Sequence, residues 1–542
     1  MLRGGHFWNH RSRKGTTMAT TRRPGRVQRI AFDGTPLNSS KPDIDARIGW
    51  LLAMSRLHHA DPVFKDGRQF VTALADAGCT ASRSLISRWE SGEIPISYEG
   101  MSAYETALGL EPGRISSLTG YIRAAIPGVK TRVIRPQLDV NSRRFALRLD
   151  ELLDLAEEKK ALARDWQELG WHLAAVPIVH LRARAWEAIA HQIVNLLPRS
   201  IRVPYRQYST AAMNIASIVR AQDFLVDAID HYLSDPDAQV LMNPLGMLDQ
   251  LPTRAAARIV LDMIDNPPTD AVFRMAVWLA TQKIAREDFT PEERTRLDML
   301  VLRLWRSNPA KTGDDLAELI AGLPEGLRST FTDAATKAGR RRLGYVVEHG
   351  EEIVAGKARA MSHEIAESAR LRAPQAADYD EDKMLPRLIR EGLFHRDSER
   401  RHLAALLISA SPFGDAVADE LLLLLNVSGH PPWVRARAAT LTRYLSNDPH
   451  RMRMLKFLND PDLQVAVPIG QAFGHLSFTE FSDQAIRSSL SDRFSAAERA
   501  KFYALGMTGS PGLEAIVRSK TAPDWQQAAA RWWIGQGSAI RS

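Results

Sequence analysis

The chain has 542 residues, 45% of them hydrophobic and 25% charged, with a formal net charge of +8 and a single cysteine. That length exceeds one core and implies about three or four domains or an extended array, with the composition of soluble globular protein. The longest leucine run, Leu421 to Leu425, falls far short of the ~20 apolar residues of a membrane span, and lone Cys79 excludes an intramolecular disulfide and a multi-cysteine zinc site.

Residues 1–40 are rich in Arg, Gly, Ser, Thr and Pro without hydrophobic periodicity, so a disordered basic tail is expected. Arg3, Arg11, Arg13, Lys14, Arg22, Arg23, Arg26 and Arg29 fall in the first 30 residues, with no acid among them. These are eight of the 71 basic residues, and the remaining 63 match the 63 acidic ones. The tail reads either as an arm that tracks DNA phosphates or as a solvated leader. No charged-apolar-small leader opens the chain, so a cytoplasmic protein is expected. Met18 offers a second start that would remove Arg3, Arg11, Arg13 and Lys14.

From Ile44 to about Arg123, five short amphipathic segments follow one another, separated by Gly, Pro and Ser. They set a domain at 41–125. A locally basic linker, 126–142, holds Ile126-Pro127-Gly128 and Arg135-Pro136. Helical spacing resumes at Phe145 and defines a linking domain over 143–230. Over 231–542 turn signals recur at regular intervals, among them Asp460, Asp492 and Asp524, which are about 32 residues apart. Each precedes an amphipathic helix. One helical hairpin cannot bury its apolar face alone, so such units stack. Leu458-Asn459-Asp460-Pro461-Asp462 with its following helix resembles a HEAT repeat, although the period is shorter and nearer that of tetratricopeptide repeats.

The stretch Gly78 to Gly92, GCTASRSLISRWESG, carries the functional signal. Phe70, Ala73, Leu74 and Ala77 form the apolar face of a short helix, and Gly78 stands where a left-handed cap is needed. Ser82 is a good N-cap for the next helix. That helix sets Leu85, Ile86 and Trp89 on one face and Ser84, Ser87, Arg88 and Ser91 on the other, with Arg83 beside them. A short row of donors and acceptors on a rigid apolar support is what reading a major groove requires. Arg83 and Arg88 are expected to stand away from acids.

The run Ile86-Ser87-Arg88-Trp89-Glu90-Ser91-Gly92 closely resembles the end of the recognition helix in the XRE, or lambda-repressor-like, helix-turn-helix family. Leu74-Ala75 and Gly78 resemble the end of that family's second helix. Ile44 to Leu57, Tyr98 to Leu110 and Glu111 to Tyr121 resemble its first, fourth and fifth. The resemblance covers about residues 44–123. It implies a five-helix lambda-repressor-like domain, and with the repeated turns after residue 230 the expectation is an all-α protein in which that domain is followed by a HEAT- or TPR-like array. It implies a bacterial transcriptional regulator binding double-stranded DNA, with Ser82, Arg83, Ser84, Ser87 and Arg88 contacting bases and phosphates, and Glu90 and Gly92 structural. The stretch His58 to Gln69 is longer than usual in the family, and Val71 stands where a glutamine is frequent. Either Lys65, Arg68 and Gln69 touch DNA from this insertion, or the domain docks differently.

A homodimer is expected, because two half-sites multiply specificity. The array would serve dimerisation, a signal, or a partner such as RNA polymerase. The other reading, from a different class, is a helical-repeat scaffold or sensor of a defence or mobile-element system, in which the helix-turn-helix only tethers or autoregulates. His58-His59 lack a third ligand, His363-Glu364 lack the second histidine of a zinc protease, and Arg340-Arg341-Arg342 read as a solvated face. Trp525, Trp532 and Trp533 read as packing of a terminal repeat. No enzyme, metal or cofactor signature is present.

Overall fold

A computed structural model describes residues 28–39, 41–126, 135–307, 316, 319–321, 323, 325–334, 337–349, 355–374, 379–427 and 429–541. The tail through residue 27 and linker residues 127–134 lie outside the described residues, as does the side chain of Arg342. Among the described residues the protein is all-helical, with two isolated β-bridges, Gln28 to Tyr379 and Ser200 to Ile540, and no strand.

The N-terminal unit holds α1 (Ile44–Leu57), α2 (Gly67–Asp76), α3 (Arg83–Glu90), α4 (Tyr98–Ala107) and α5 (Ser116–Ala125). Next come α6 (Arg143–Glu157), α7 (Ala163–Ala175), α8 (Ala183–Leu196), α9 (Arg202–Ala216) and α10 (Val219–Leu233), with α7 and α5 both packed on α9. Then follow α11 (Met242–Met247), α12 (Arg254–Asp265), α13 (Asp270–Ala285) and α14 (Pro291–Ser307).

The last fifth is a stacked repeat. Helices Pro432–Leu445, Leu463–Gly474, Ala496–Thr508 and Asp524–Gln536 pack each on the next. The shorter helices Arg451–Met454, Glu480–Ser488 and Gly512–Arg518 alternate with them. The stacked helices begin at the expected turns, but the three evenly spaced aspartates do not share one role. Asp462 caps the second of these helices, and Ser495 caps the third. Asp460 instead takes Arg435 at 2.6 Å, and Asp524 is the first residue of its helix. Rungs also bond across the repeat: His475 Nδ1 meets the Arg443 carbonyl at 3.2 Å, and Trp525 Nε1 donates to the Asp492 carbonyl at 3.0 Å.

The C-terminal tryptophans close the stack. Trp533 is buried against Gly506, where any Cβ would fall within 2.4 Å of the indole. The same end meets the linking domain. Trp532 Nε1 donates to Asp235 at 3.2 Å, the Ile540 amide to the Arg199 carbonyl at 2.9 Å, and Arg499 to the Ala238 carbonyl at 3.1 Å. The array is therefore covered at its end by residues from about 199 to 238 rather than open to solvent.

Disorder through residue 40 is not what residues 28–39 show. Asp33 is fully buried, His395 Nε2 meets the Leu37 carbonyl at 2.8 Å, and Arg400 donates to the Ser39 carbonyl at 3.0 Å. The segment threads between α1 and the array because Asp33 supplies a charge that buried Arg47, at 2.7 Å, and half-buried Arg387, at 3.6 Å, need.

Candidate nucleic-acid interface

The α2 and α3 pair is built by local sequence. Asp66 caps α2, accepting from the Arg68 amide. At its end the Gly78 amide reaches the Ala75 carbonyl and the Cys79 amide reaches that of Leu74, at 2.9 and 2.8 Å. This reciprocal pair closes the helix and needs a left-handed residue between them, which Gly78 supplies at φ +88°. Four residues on, Ser82 takes the Leu85 amide at 3.1 Å and opens α3.

On α3, Ile86 and Trp89 are buried and Leu85 half-buried, while Ser82, Arg83, Ser84, Ser87 and Arg88 are exposed in the whole chain. Trp89 packs edge-on to Tyr104 of α4, and Phe70 of α2 packs on the same ring. Glu90, at the end of α3, is buried. It takes Arg56 of α1 at 2.6 Å, the Tyr104 hydroxyl at 3.1 Å and Gln28 Nε2 at 2.6 Å. Gly92 then turns at φ +72°, and a Cβ there would lie 2.6 Å from Ala46 of α1. α3 is thus fixed to α1 at backbone contact, with its polar face outward.

Arg68 and Gln69 lie exposed on the first turn of α2, so α2 and α3 present one continuous polar surface. In the insertion, Pro62–Lys65 form a short 3-10 helix, and Phe64 packs between His59 and Phe70. His58 and His59 anchor this loop. The first meets the Pro374 carbonyl and Tyr379 hydroxyl, and the second meets the Leu108 carbonyl. Cys79 is partly buried, and burial pushes its thiol up.

The expected separation of the two arginines from acids does not hold. Arg88 Nε lies 2.8 Å from Glu93 Oε1, five residues on, because the turn at Gly92 folds Glu93 back along α3. Arg83 reaches across to the start of α2. The Arg68 amide and the Arg83 guanidinium together hold the exposed Asp66 carboxyl below its usual range. Both contacts are solvent-exposed, where an ion pair contributes little and exchanges readily for phosphate.

The unit does not stand alone. α1 is buried along nearly its whole length, because the array covers the side that α2 to α5 leave free. Arg47 forks onto Glu391 and Trp50 Nε1 donates to Asp382 at 3.1 Å, while the Trp50 ring stacks on Phe413 at 6.2 Å. These partners could not be anticipated from local pattern. Among the described residues no cluster of His, Cys, Asp and Glu could hold a metal, and no helix is long and apolar enough to cross a membrane.

No family model and no curated protein matches the chain. Among solved structures it is similar to a chain from work on tubulin recruitment and assembly by microtubule polymerases with Tumor Overexpressed Gene (TOG) domain arrays. That likeness is 10% identical at a TM-score of 0.21 and covers 74% of this chain and 99% of the other.

Proposed function

We propose that the protein is a sequence-specific double-stranded DNA-binding transcriptional regulator of the lambda-repressor-like kind, acting as a dimer in the cytoplasm. The observation that carries this reading is α3: a capped helix with an apolar inner face, whose Arg83, Ser84, Ser87 and Arg88 are exposed although α1 is enclosed by the array. Such a rigidly held polar row suits base edges, while Ser82, Arg68 and Gln69 at the adjoining helix starts suit phosphates. The array serves the dimer contact or a protein partner.

The test is selection of bound sequences from random duplex DNA with the full-length chain, followed by titration of an Arg83→Ala/Arg88→Ala variant. The selected site should be bound at least about tenfold more weakly by the variant, since one bidentate base contact is worth ~1–3 kcal/mol. Equal affinity in the folded variant refutes the assignment.

A second reading is favoured by the Arg88–Glu93 pair and the near-neutral surface of the unit. In it the array performs the main task, as a scaffold or sensor, and the helix-turn-helix tethers or autoregulates. A genome-wide binding profile restricted to the protein's own promoter would support it over the first.

A further inference from the structure

A row of rings runs across the inner face of the molecule, drawn from elements far apart in sequence. Tyr121 of α5 lies 6.1 Å from Tyr205 of α9 and 5.9 Å from His402 on the helix Ser398–Ala410. His402 lies 4.9 Å from Tyr444 on the first stacked helix, and the Arg443 guanidinium sits over Tyr444 at 4.4 Å. Past Arg443, whose carbonyl meets His475, the row ends at Tyr503, whose hydroxyl is 3.3 Å from His475 Nε2.

Arginines converge on this row. Arg206 of α9 is 4% exposed, yet its guanidinium makes no hydrogen bond among the described residues, and its Nε is buried without a partner. A buried guanidinium left with open donors is costly unless something else fills them. Arg202, Tyr205 and Arg206 fall at i, i+3 and i+4 of α9, so the two arginines flank the ring that opens the row. Burial, and then the charges of Arg443 and Arg206, pull His402 down to about 3. Arg202, at the start of α9, holds φ +56° and is exposed. Its field, with those of Arg443 and Arg541, bears on His475, which burial likewise pulls down to about 3. Arg541 crosses from the C-terminus to the carbonyls of Gly474, His475 and Leu476.

Acids near these cations are few or already engaged. Glu105 reaches Arg206 but accepts the Gly113, Ile115 and Ser116 amides at 2.6–2.9 Å. Glu399 is pushed up to about 8 by burial and by Asp397 and Asp249, so it is protonated at neutral pH. Glu111 is exposed, and Asp448 is bound to Arg451 at 2.6 Å. Both histidines are neutral. The face therefore presents guanidinium groups beside a row of tilted and edge-on rings, with more positive charge than its own acids balance.

We propose that this inner face binds a small phosphorylated ligand with a planar base, a nucleotide, its phosphates on Arg206 and Arg202 and its base against the Tyr205–Tyr444 row. Guanidinium forks match phosphate oxygens, and aromatic faces take planar rings. Because Tyr121 belongs to the N-terminal unit and Tyr444 and Tyr503 to the stack, the ligand bridges the two. The ligand face is separate from the exposed polar face of α3.

Isothermal titration of the full chain with the four common ribonucleoside mono- and triphosphates, and with inorganic phosphate, tests it. One or more nucleotides should bind saturably, and inorganic phosphate more weakly. Arg206→Gln should weaken that nucleotide at least about tenfold, with Arg206→Lys between the two. Should Arg206→Gln not fold, Arg202→Gln at its exposed position should still weaken binding several-fold. Absence of heat with every nucleotide at millimolar concentration, or unchanged affinity in the folded Arg206→Gln or Arg202→Gln chain, overturns the proposal.

Discussion

Arg47 on the first helix of the N-terminal unit places both arms of its guanidinium on Glu391, at 2.8 and 2.6 Å, across 344 residues of sequence. Neither side chain reaches water. Asp33, Arg387 and Arg400 complete the cluster at 2.7, 3.2 and 3.0 Å from Arg47 or Glu391, so every buried charge has an opposite neighbour. The cluster welds the unit that bears α3 to the body of the array. The two are one folding partner set rather than a head on a linker.

Removing Arg47 leaves Glu391 buried without its main counter-charge. Arg47→Ala should therefore destabilise by about 3–5 kcal/mol. Because the cluster joins both parts, chemical denaturation followed by Trp fluorescence and by circular dichroism should give one shared transition in the native chain. Two separate transitions in the unmutated protein would show that the N-terminal unit folds by itself.

Within α3 the two faces should separate cleanly. Trp89→Ala removes a buried aromatic that packs on Tyr104 and should cost ~3–5 kcal/mol, whereas Arg88→Ala should leave the melting temperature within error. A differential melting scan of the two variants decides this, and comparable losses would mean that Arg88 supports the fold.

Glu93 holds Arg88 and adds a negative charge to the proposed DNA-facing surface. Glu93→Gln should raise affinity for random duplex DNA, and the salt dependence should steepen by about one unit of log–log slope as Arg88 becomes free for phosphate. Fluorescence anisotropy at several salt concentrations measures it. A fall in affinity would mean that Glu93 orients Arg88 toward a base.

Much of the α2–α3 pair was legible because its determinants are local. Gly78, Ser82 and the Leu85-Ile86-Trp89 face each act within a turn or two, where residue type and spacing carry the physics. The burial of α1 was not legible. Arg47 and Arg56 sit in its sequence as ordinary charged residues, and charged residues on a helix read as solvated. Their partners, Glu391 and Glu90, come from other elements, and periodicity does not encode such pairing. Glu93 was missed for a related reason: distance along α3 suggests separation, until Gly92 reverses the chain. The array was legible as repeated helix starts, but not the roles of Asp460 and Asp524, because the cap falls two residues after Asp460 and one before Asp524. The inner ring row had no signal at all, since its rings come from elements scattered between Tyr121 and Tyr503 and share no spacing.

Deleting residues from Pro511 onward removes Trp533 from Gly506 and uncovers the buried Phe502, Leu505 and Met507. It also removes Trp532 and Ile540 from Asp235 and Arg199. The truncated chain should aggregate, and limited proteolysis should cut first between about residues 197 and 240, where those contacts are lost. Survival of that segment with the intact chain's half-life would show that the C-terminal closure is dispensable.

Stability should peak near pH 6.5, and three groups on the inner face set the two limbs. His402 and His475 are held at about 3 in the folded state, against an ordinary 6.5, by burial and then by nearby arginines. Their folded value is depressed, so below pH 6.5 the unfolded chain takes up protons that the native one refuses, and stability falls as the medium acidifies. Glu399 is raised to about 8 from 4.5 by burial and then by Asp397 and Asp249. Here the native state keeps a proton that the unfolded chain releases above 4.5, so this contribution is complete below 4.5 and is lost as pH rises through 8. Between 4.5 and 6.5 the two histidines outweigh the one carboxyl, and stability rises with pH. Above 6.5 the histidines are neutral in both states while the contribution of the carboxyl is being lost, and stability declines. Below 4.5 the paired Glu391, held under the usual carboxylate range by Arg47 and Arg400 against its burial, steepens the acid limb. Urea midpoints measured from pH 4 to pH 9 should trace this curve. Glu399→Gln should flatten the alkaline limb, and His402→Asn with His475→Gln the acid limb. An alkaline limb unchanged in Glu399→Gln would mean that this carboxyl is ionised in the native protein.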